Sequence, residues 1–186
     1  MINYSLISKA IKSYKKLGYQ YIEVPWMVPK HVIDITLPPK RQAYKAVSSS
    51  VYADDDSYLV GSAEQSFLSL IIDKKLKDGK YVAASPCFRD EIEDKYHFKT
   101  FFKVELIHYC SQGLLSRIDL NDVILDAKEV LEQFTDKKVK FVHLEDNTYD
   151  LQIEGVEVGS YGLRHYADFN WIYGTGIAEP RFSSLR

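Results

Sequence analysis

Two runs rich in strand-forming residues, Lys80 to Phe88 and Lys99 to Tyr109, follow each other with only a short polar connection, Ile92 to Phe98, at the tip. Parallel neighbours need a crossover of a dozen or more residues, so this gap forces the two runs to pair antiparallel as a hairpin. Further strand-like runs near 139–143, 148–153, 155–160 and 166–173 also have short connections. Strand–helix–strand crossovers are few. The pattern predicts an α+β fold, a mostly antiparallel sheet flanked by helices.

The helices are marked by periodicity. Ile7, Ala10, Ile11 and Tyr14 recur at helical spacing across residues 4–17, and Gly18 stops the run. A strand, Tyr19 to Val24, follows and is ended by Pro25. Ser62 is a good N-cap for a helix over about 63–76 with Phe67, Leu70 and Ile71 on its buried stripe. Asp119 is read as the cap of the clearest helix, whose apolar face is Leu120, Val123, Ile124, Ala127, Val130, Leu131 and Phe134. Residues 29–43, with Pro29, Pro38 and Pro39, read as a loop. Short strands are expected near 44–52 and 57–61, joined by Asp54-Asp55-Asp56, a solvated tip rather than a metal site.

A chain of 186 residues with 46% hydrophobic and 27% charged residues suits one domain, 1–186, with a real core. The formal net charge of -2 argues against a globally basic nucleic-acid binder. Lys9, Lys12, Lys15 and Lys16 read as a solvated helix face. Cys87 and Cys110 have neither metal-ligand spacing nor a disulfide framework, which suits free thiols in a reducing compartment. No apolar run approaches the roughly 20 residues that span a bilayer, and no signal pattern opens the chain. The expectation is a cytoplasmic protein without membrane contact.

Several residues can carry chemistry. Arg89 and Glu91 are two apart on a strand, so both face one way. Arginine offers a forked cation to a phosphate or carboxylate, and glutamate accepts from an adenine amino group. Taken alone, the pair is better read as a surface salt bridge, since such pairs are common. Phe101 and Glu105 share a face of the return strand, where a ring can stack on a base and a carboxylate can hold an amine. A core phenylalanine and a rim glutamate is the plainer reading. Glu64, after Ser62-Ala63 at a helix start, is either an amine-binding acid or a carboxylate favoured by the helix dipole. Glu157 and Ser160 can hold a hard cation such as Mg²⁺ against phosphates, although taken alone an ordinary strand end at a turn is the plainer reading. Gly174-Thr175-Gly176 permits close backbone approach to a ligand, and Arg181 follows five residues after the second glycine.

In order and spacing these segments resemble the catalytic domain of class II aminoacyl-tRNA synthetases, most of all the seryl-tRNA synthetase type. Ser5–Leu17 with YQYIEVP (Tyr19–Pro25) is similar to the first motif, FRDE (Phe88–Glu91) with FFKVE (Phe101–Glu105) to the second, and GTGIAEPR (Gly174–Arg181) to the third. The five-residue step from the glycine to Arg181 is the seryl-type spacing. YLVGSAEQSF (Tyr58–Phe67) looks like the seryl-type stretch with a T-x-E element, Ser62 standing for the threonine. EVGS (Glu157–Ser160) is similar to the seryl-type strand that carries a metal-binding glutamate and serine, and YDL (Tyr149–Leu151) to the strand just before it.

The resemblance implies ATP and Mg²⁺ as cofactors and formation of an aminoacyl-adenylate, with serine as the amino acid of the pattern. Arg89 would bridge the amino-acid carboxylate and the α-phosphate. Arg181 would bind the γ-phosphate, with Gly174 and Gly176 beside the nucleotide. Glu91 would read the adenine and Phe101 would stack on it. Ser62, Glu64, Glu105 and Thr175 would hold the amino acid, and Glu157 and Ser160 the Mg²⁺. A homodimer through residues 5–25 is implied as well. The departures are a short Ile92–Phe98 connection, Tyr173 where the seryl pattern has asparagine, only five residues after Arg181, and no coiled-coil arm or anticodon-binding part. They imply a minimal unit whose acceptor is a tRNA or another molecule. A non-catalytic nucleotide- or metabolite-binding paralogue is the alternative.

Overall fold

The computed structural model describes residues 1–36, 57–89, 92–145 and 147–186. Among these, helices α1 (Tyr4–Lys16), α2 (Lys30–Thr36), α3 (Ala63–Ile72), α4 (Arg117–Glu132) and α5 (Arg181–Leu185) alternate with nine strands. These are β1 (Gln20–Tyr21), β2 (Met27–Pro29), β3 (Ser57–Leu59), β4 (Gly79–Phe88), β5 (Thr100–Cys110), β6 (Val139–His143), β7 (Thr148–Ile153), β8 (Val156–Tyr166) and β9 (Phe169–Glu179). Seven strands form one sheet in the order β1-β4-β5-β9-β8-β7-β6. Only the edge pair β1–β4 is parallel, and every other pairing is antiparallel. The α+β architecture expected from the hairpin pattern is the one observed.

Side chains alternate across the sheet, and each face is covered differently. Val82, Leu106 and Ile172 point to one face, where Ile7, Ala10 and Tyr14 of α1 and Leu120, Val123 and Ala127 of α4 pack on them. Tyr81, Ala83, Ile107 and Trp171 point to the other, under Phe67, Leu68 and Ile71 of α3 and Val32 and Ile33 of α2. Near β5 and β9 this second face continues past α3 and is left for polar side chains. The site is built there.

The structure changes several boundaries. The 29–43 loop begins instead with β2 and α2, because Val32 and Ile33 find an apolar seat beside α3. Residues 37–56, including the expected 44–52 strand and Asp54-Asp55-Asp56, lie outside the described residues. Tyr19–Val24 pairs only at Gln20–Tyr21. The helix from Ser62 stops at Ile72 rather than 76. The cap of α4 is Ser116, not Asp119; Asp119 is the third helical residue, and its carboxylate accepts from the Ser116 backbone N–H at 2.7 Å in a capping box. The strands near 155–160 and 166–173 are one long hairpin, β8–β9, turning at Ala167-Asp168. Its second strand runs through the glycine pair to Glu179.

His108 on β5 sits opposite Lys80 in the β4–β5 register, with Asp78, Asp119 and Asp122 nearby. Its Nδ1 is buried without a hydrogen-bond partner. Burial and the Lys80 charge lower its pKa below the ordinary 6.5. The unfolded chain therefore binds the proton more readily. His108 contributes stability above pH 6.5, and that contribution is lost as pH falls from 6.5 towards the depressed folded value. Melting temperatures of wild type and His108→Gln between pH 5 and 7.5 are expected to show a steeper acid-side fall in wild type; parallel curves would refute this.

Candidate functional site

The hairpin delivers Arg89 just beyond the end of β4 and Phe101, Lys103 and Glu105 on the same face of β5. Their register fixes the geometry: Cys87 lies opposite Phe101 and Glu105 opposite Thr175 of β9. The Arg89 guanidinium lies over the Phe101 ring, 5.0 Å from its centroid. Its Nε donates to the Gly61 carbonyl at 3.1 Å and so reaches the turn that starts α3. Beneath them Cys87 is fully buried, and burial pushes its thiol up to about 12, which leaves it unreactive.

The N-terminus of α3 is tied to the same surface. The Ser62 hydroxyl accepts from the Glu64 N–H at 3.2 Å as an N-cap and donates to Glu105 Oε1 at 2.6 Å. The Ala63 N–H also donates to Glu105. Lys103 Nζ completes the set at 2.7 Å from Glu105 Oε1, with both side chains nearly closed off from solvent. Glu64 is held separately. Its carboxylate accepts from Arg164 Nη1 at 3.0 Å on each oxygen and from Trp171 Nε1 at 2.8 Å. Burial raises its pKa, opposed by the Arg164 charge and the Trp171 hydrogen bond.

At the far end of β9, Arg181 opens α5. Its Nε donates to the Tyr96 carbonyl at 2.9 Å, and its Nη1 lies 3.6 Å from Glu157 Oε1. Tyr96 belongs to the short connection at the hairpin tip, which Asp94 organises. Asp94 accepts from the Tyr96 and His97 N–H groups at 2.7 and 2.8 Å and meets His97 Nδ1 at 2.8 Å. The Tyr96 N–H foremost, then the His97 ring, hold its carboxyl down at about 2. The fully buried Glu179 binds the Asn3 N–H at 3.1 Å and the Ser183 N–H at 3.0 Å, fixing the starts of α1 and α5 against the sheet. A single cavity results, whose walls include Arg89, Phe101, Lys103, Glu157, Thr175 and Arg181.

Most of the residues singled out in the sequence thus meet. Arg89, Phe101, Glu157, Thr175 and Arg181 line one cavity, Lys103 joins it to Glu105, and Ser62 and Glu64 follow at the start of α3. Glu91 lies outside the described residues. Ser160 lies opposite Asp150 in the β7–β8 register. Burial and the Glu157 charge push Asp150 up to about 6, against a hydrogen bond from Ser160, so two carboxylates and a hydroxyl converge there. Gly174 and Gly176 face the helical layer. A Cβ on Gly174 would come 2.7 Å from the Tyr161 ring, and one on Gly176 2.8 Å from the Tyr14 ring. Tyr161 and Tyr14 donate to the Thr175 and Gly176 carbonyls at 2.5 and 3.1 Å. The close approach these glycines permit is to two core tyrosines. Sequence reasoning missed Asp150, Arg164 and Trp171 as site neighbours, and it registered Tyr173 only as a departure.

A second, larger cavity lies elsewhere among the described residues. A groove of about 990 Å³ runs between α1 and the β1–β2 segment, with Tyr4, Ile11, Tyr21, Trp26 and Phe102 among its walls. Tyr4, Tyr21 and Trp26 are exposed there.

Comparison with known proteins now places the chain. Residues 4–184 match the model of the tRNA synthetases class II core domain (F). The chain belongs to the class II tRNA synthetase core domain family. Within it the chain is seryl-like: it is 31% identical over 132 residues to the serine--tRNA ligase of Fervidobacterium nodosum, covering 63% of this chain and 29% of that protein. It is 30% identical over 133 residues to the serine--tRNA ligase of Thermotoga sp. (strain RQ2), covering 64% and 30%. The chain therefore spans about 30% of the length of these relatives. Seryl-tRNA synthetase from Pyrococcus horikoshii, solved in complex with ATP, superposes with a TM-score of 0.75 at 20% identity, over 97% of this chain and 49% of that one. Pyrrolysyl-tRNA synthetase from Desulfitobacterium hafniense superposes at 0.77 and 16% identity, over 98% and 68%. At these identities the superpositions speak for the fold. Among the described residues, no helix is long and apolar enough to cross a membrane.

Gly176→Ala should show the packing demand beneath the site. Overfilling a tight core costs about 1–3 kcal/mol, so chemical denaturation is expected to show a loss in that range. An unchanged midpoint would mean that Tyr14 yields freely.

Proposed function

We propose that this chain is an ATP-dependent acid-activating core that joins a carboxylic acid, of the amino-acid class, to AMP as a mixed anhydride. The observation that carries the reading is the convergence of Arg89, Phe101, Lys103, Thr175, Glu157 and Arg181 on one cavity. The substrate carboxylate attacks the α-phosphorus of ATP. An oxygen–phosphorus bond forms, the bond to the β-phosphate bridge oxygen breaks, and pyrophosphate leaves with the electron pair. No proton has to move, so this chain's residues act by position and charge.

Arg89 sits where a forked cation can hold the attacking carboxylate and the α-phosphate together, countering charge that grows in the transition state. Phe101 offers a ring face to the adenine, and Glu91 is assigned its amino group. Arg181, steadied by the Tyr96 carbonyl and Glu157, meets the departing phosphates. Ser62, Glu64, Glu105 and Thr175 form the amino-acid end. Glu157 and Ser160, with Asp150 beside them, are a hard-oxygen set that fits Mg²⁺, which keeps several waters and takes one or two carboxylates beside phosphate oxygens. When bound there, the ion would neutralise phosphate charge. The acceptor of the activated acid is a tRNA or another nucleophile. The α1–β2 groove is where two copies would pair, since Tyr4, Tyr21 and Trp26 present apolar surface around it.

Exchange of labelled pyrophosphate into ATP, scanned over the common amino acids, tests the reading. At least one acid is expected to support exchange, and Arg89→Ala to lower it by roughly 10²-fold or more. ATP binding without exchange for any acid would favour the non-catalytic alternative, and full activity in Arg89→Ala would refute the assignment. Gel filtration with light scattering is expected to give twice the monomer mass, reduced to the monomer by Trp26→Glu; a monomeric wild type would contradict the dimer.

A further inference from the structure

Of the cations in the cavity wall, Arg89 and Arg181 have tasks in the reaction and Lys103 has none. Lys103 stands on β5 between Phe101 and Glu105, and alternation along the strand puts the three side chains on one face, roughly 7 Å apart for each two-residue step. It is 8% exposed, yet it belongs to the cavity wall. Opposite it on β9 is Ala178, which also lines the cavity and whose methyl group keeps the sheet surface beside the lysine low.

A lysine ammonium carries three N–H donors. Among the described residues one acceptor meets Lys103 Nζ, the Glu105 Oε1 at 2.7 Å. Glu105 has other donors of its own: the Ser62 hydroxyl on Oε1 and the Ala63 N–H on Oε2. Glu105 is not part of the cavity wall, so the pair meets the cavity with its lysine. Two donors remain on a flexible four-carbon stem, in surroundings where a buried donor without an acceptor is costly.

A nucleotide laid over this face determines what those donors meet. With the adenine on Phe101 and the terminal phosphates at Arg181 and Glu157, the α-phosphate is the part that lies between, and Lys103 is one step along β5 from Phe101 in the same wall. Lysine binds phosphate as a compact point charge. The ammonium would bridge two anions, and Glu105 would keep its cation whether the nucleotide is present or absent. No buried charge is stranded by binding or release.

We propose that Lys103 donates to the α-phosphate of the bound nucleotide, and that Glu105, tied to the start of α3, is the positioning residue that holds the ammonium in the cavity wall. The proposal rests on the reading of this cavity as an acid-activating site, and it adds a second cation at the reacting phosphorus. As the carboxylate adds and pyrophosphate leaves with the electron pair, the ammonium counters charge on the non-bridging α oxygens.

Equilibrium dialysis of the full chain with labelled adenosine, AMP and ATP, run beside pyrophosphate exchange, is the test. Wild type is expected to bind AMP more tightly than adenosine. Lys103→Gln should weaken AMP and ATP about 10-fold or more, the scale of a lost hydrogen bond to a charged group, and leave adenosine at its wild-type affinity. Lys103→Arg should keep most of the AMP affinity. Because Lys103→Gln strands the Glu105 charge, Lys103→Gln/Glu105→Gln is measured with it; it removes both charges of the buried pair and should show the same selective loss. In wild type itself, the ε-carbon NMR signal of Lys103, assigned by its absence in Lys103→Arg, should move with AMP and stay in place with adenosine. AMP and adenosine weakened alike, or a Lys103 signal that AMP does not move, overturns the proposal, while exchange by wild type would still uphold the activating reading. Selective loss of AMP without exchange for any amino acid supports the phosphate contact and removes activation. A wild type that binds no nucleotide overturns both.

Discussion

The pairing of β5 with β4 on one side and β9 on the other is the constraint on which the site depends. No single strand carries enough polar groups to bind a nucleotide and an acid together. Antiparallel register puts Phe101 beside Cys87 and Arg89, and Glu105 beside Thr175. The irregularity between Val104 and Glu105 adds a residue on β9, so Gly176 is accommodated while Thr175 still faces Glu105. A slip of one residue would turn every one of these side chains to the opposite face. Register is strongly specified here because that opposite face is packed by Tyr14, Val123 and Tyr161.

A second constraint is electrostatic. The site face holds two buried carboxylates, Glu64 and Glu105, and each has a partner supplied by a different element. Lys103 and Glu105 come from one strand, but the hydroxyl and N–H that complete Glu105 come from α3. Glu64 comes from α3 while its cation and indole come from β8 and β9. Breaking any of these links leaves a buried charge exposed to its own desolvation. The links that position the site therefore also fasten α3 to the sheet. Glu179 does the same for the starts of α1 and α5.

What was legible in the sequence followed from local rules. The β4–β5 hairpin could be read because long runs with a short gap leave no other pairing. Ser62 could be read because an N-cap needs only its own helix. Features that depend on tertiary contact were not legible. α2 has too few residues to show a period and exists because Val32 and Ile33 find a seat beside α3. Asp119 was a natural cap by type, but Ser116 three residues earlier completes the reciprocal pair. Arg164 carried no signal, since its pairing with Glu64 spans 100 residues and rests on the β8–β9 register, where it stands opposite Trp171. The role of the two glycines was open to misreading for the same reason: a gap left for a tyrosine and a gap left for a phosphate look alike in sequence.

The most direct test of the site is a crystal structure of this chain grown with ATP and Mg²⁺. If β4, β5 and the end of β9 form the nucleotide site, the adenine ring lies on Phe101 with the α-phosphate within hydrogen-bond reach of Arg89 and the terminal phosphates at Arg181. A nucleotide bound elsewhere, or one whose ring leaves Phe101 uncovered while its phosphates avoid both arginines, would contradict the assignment.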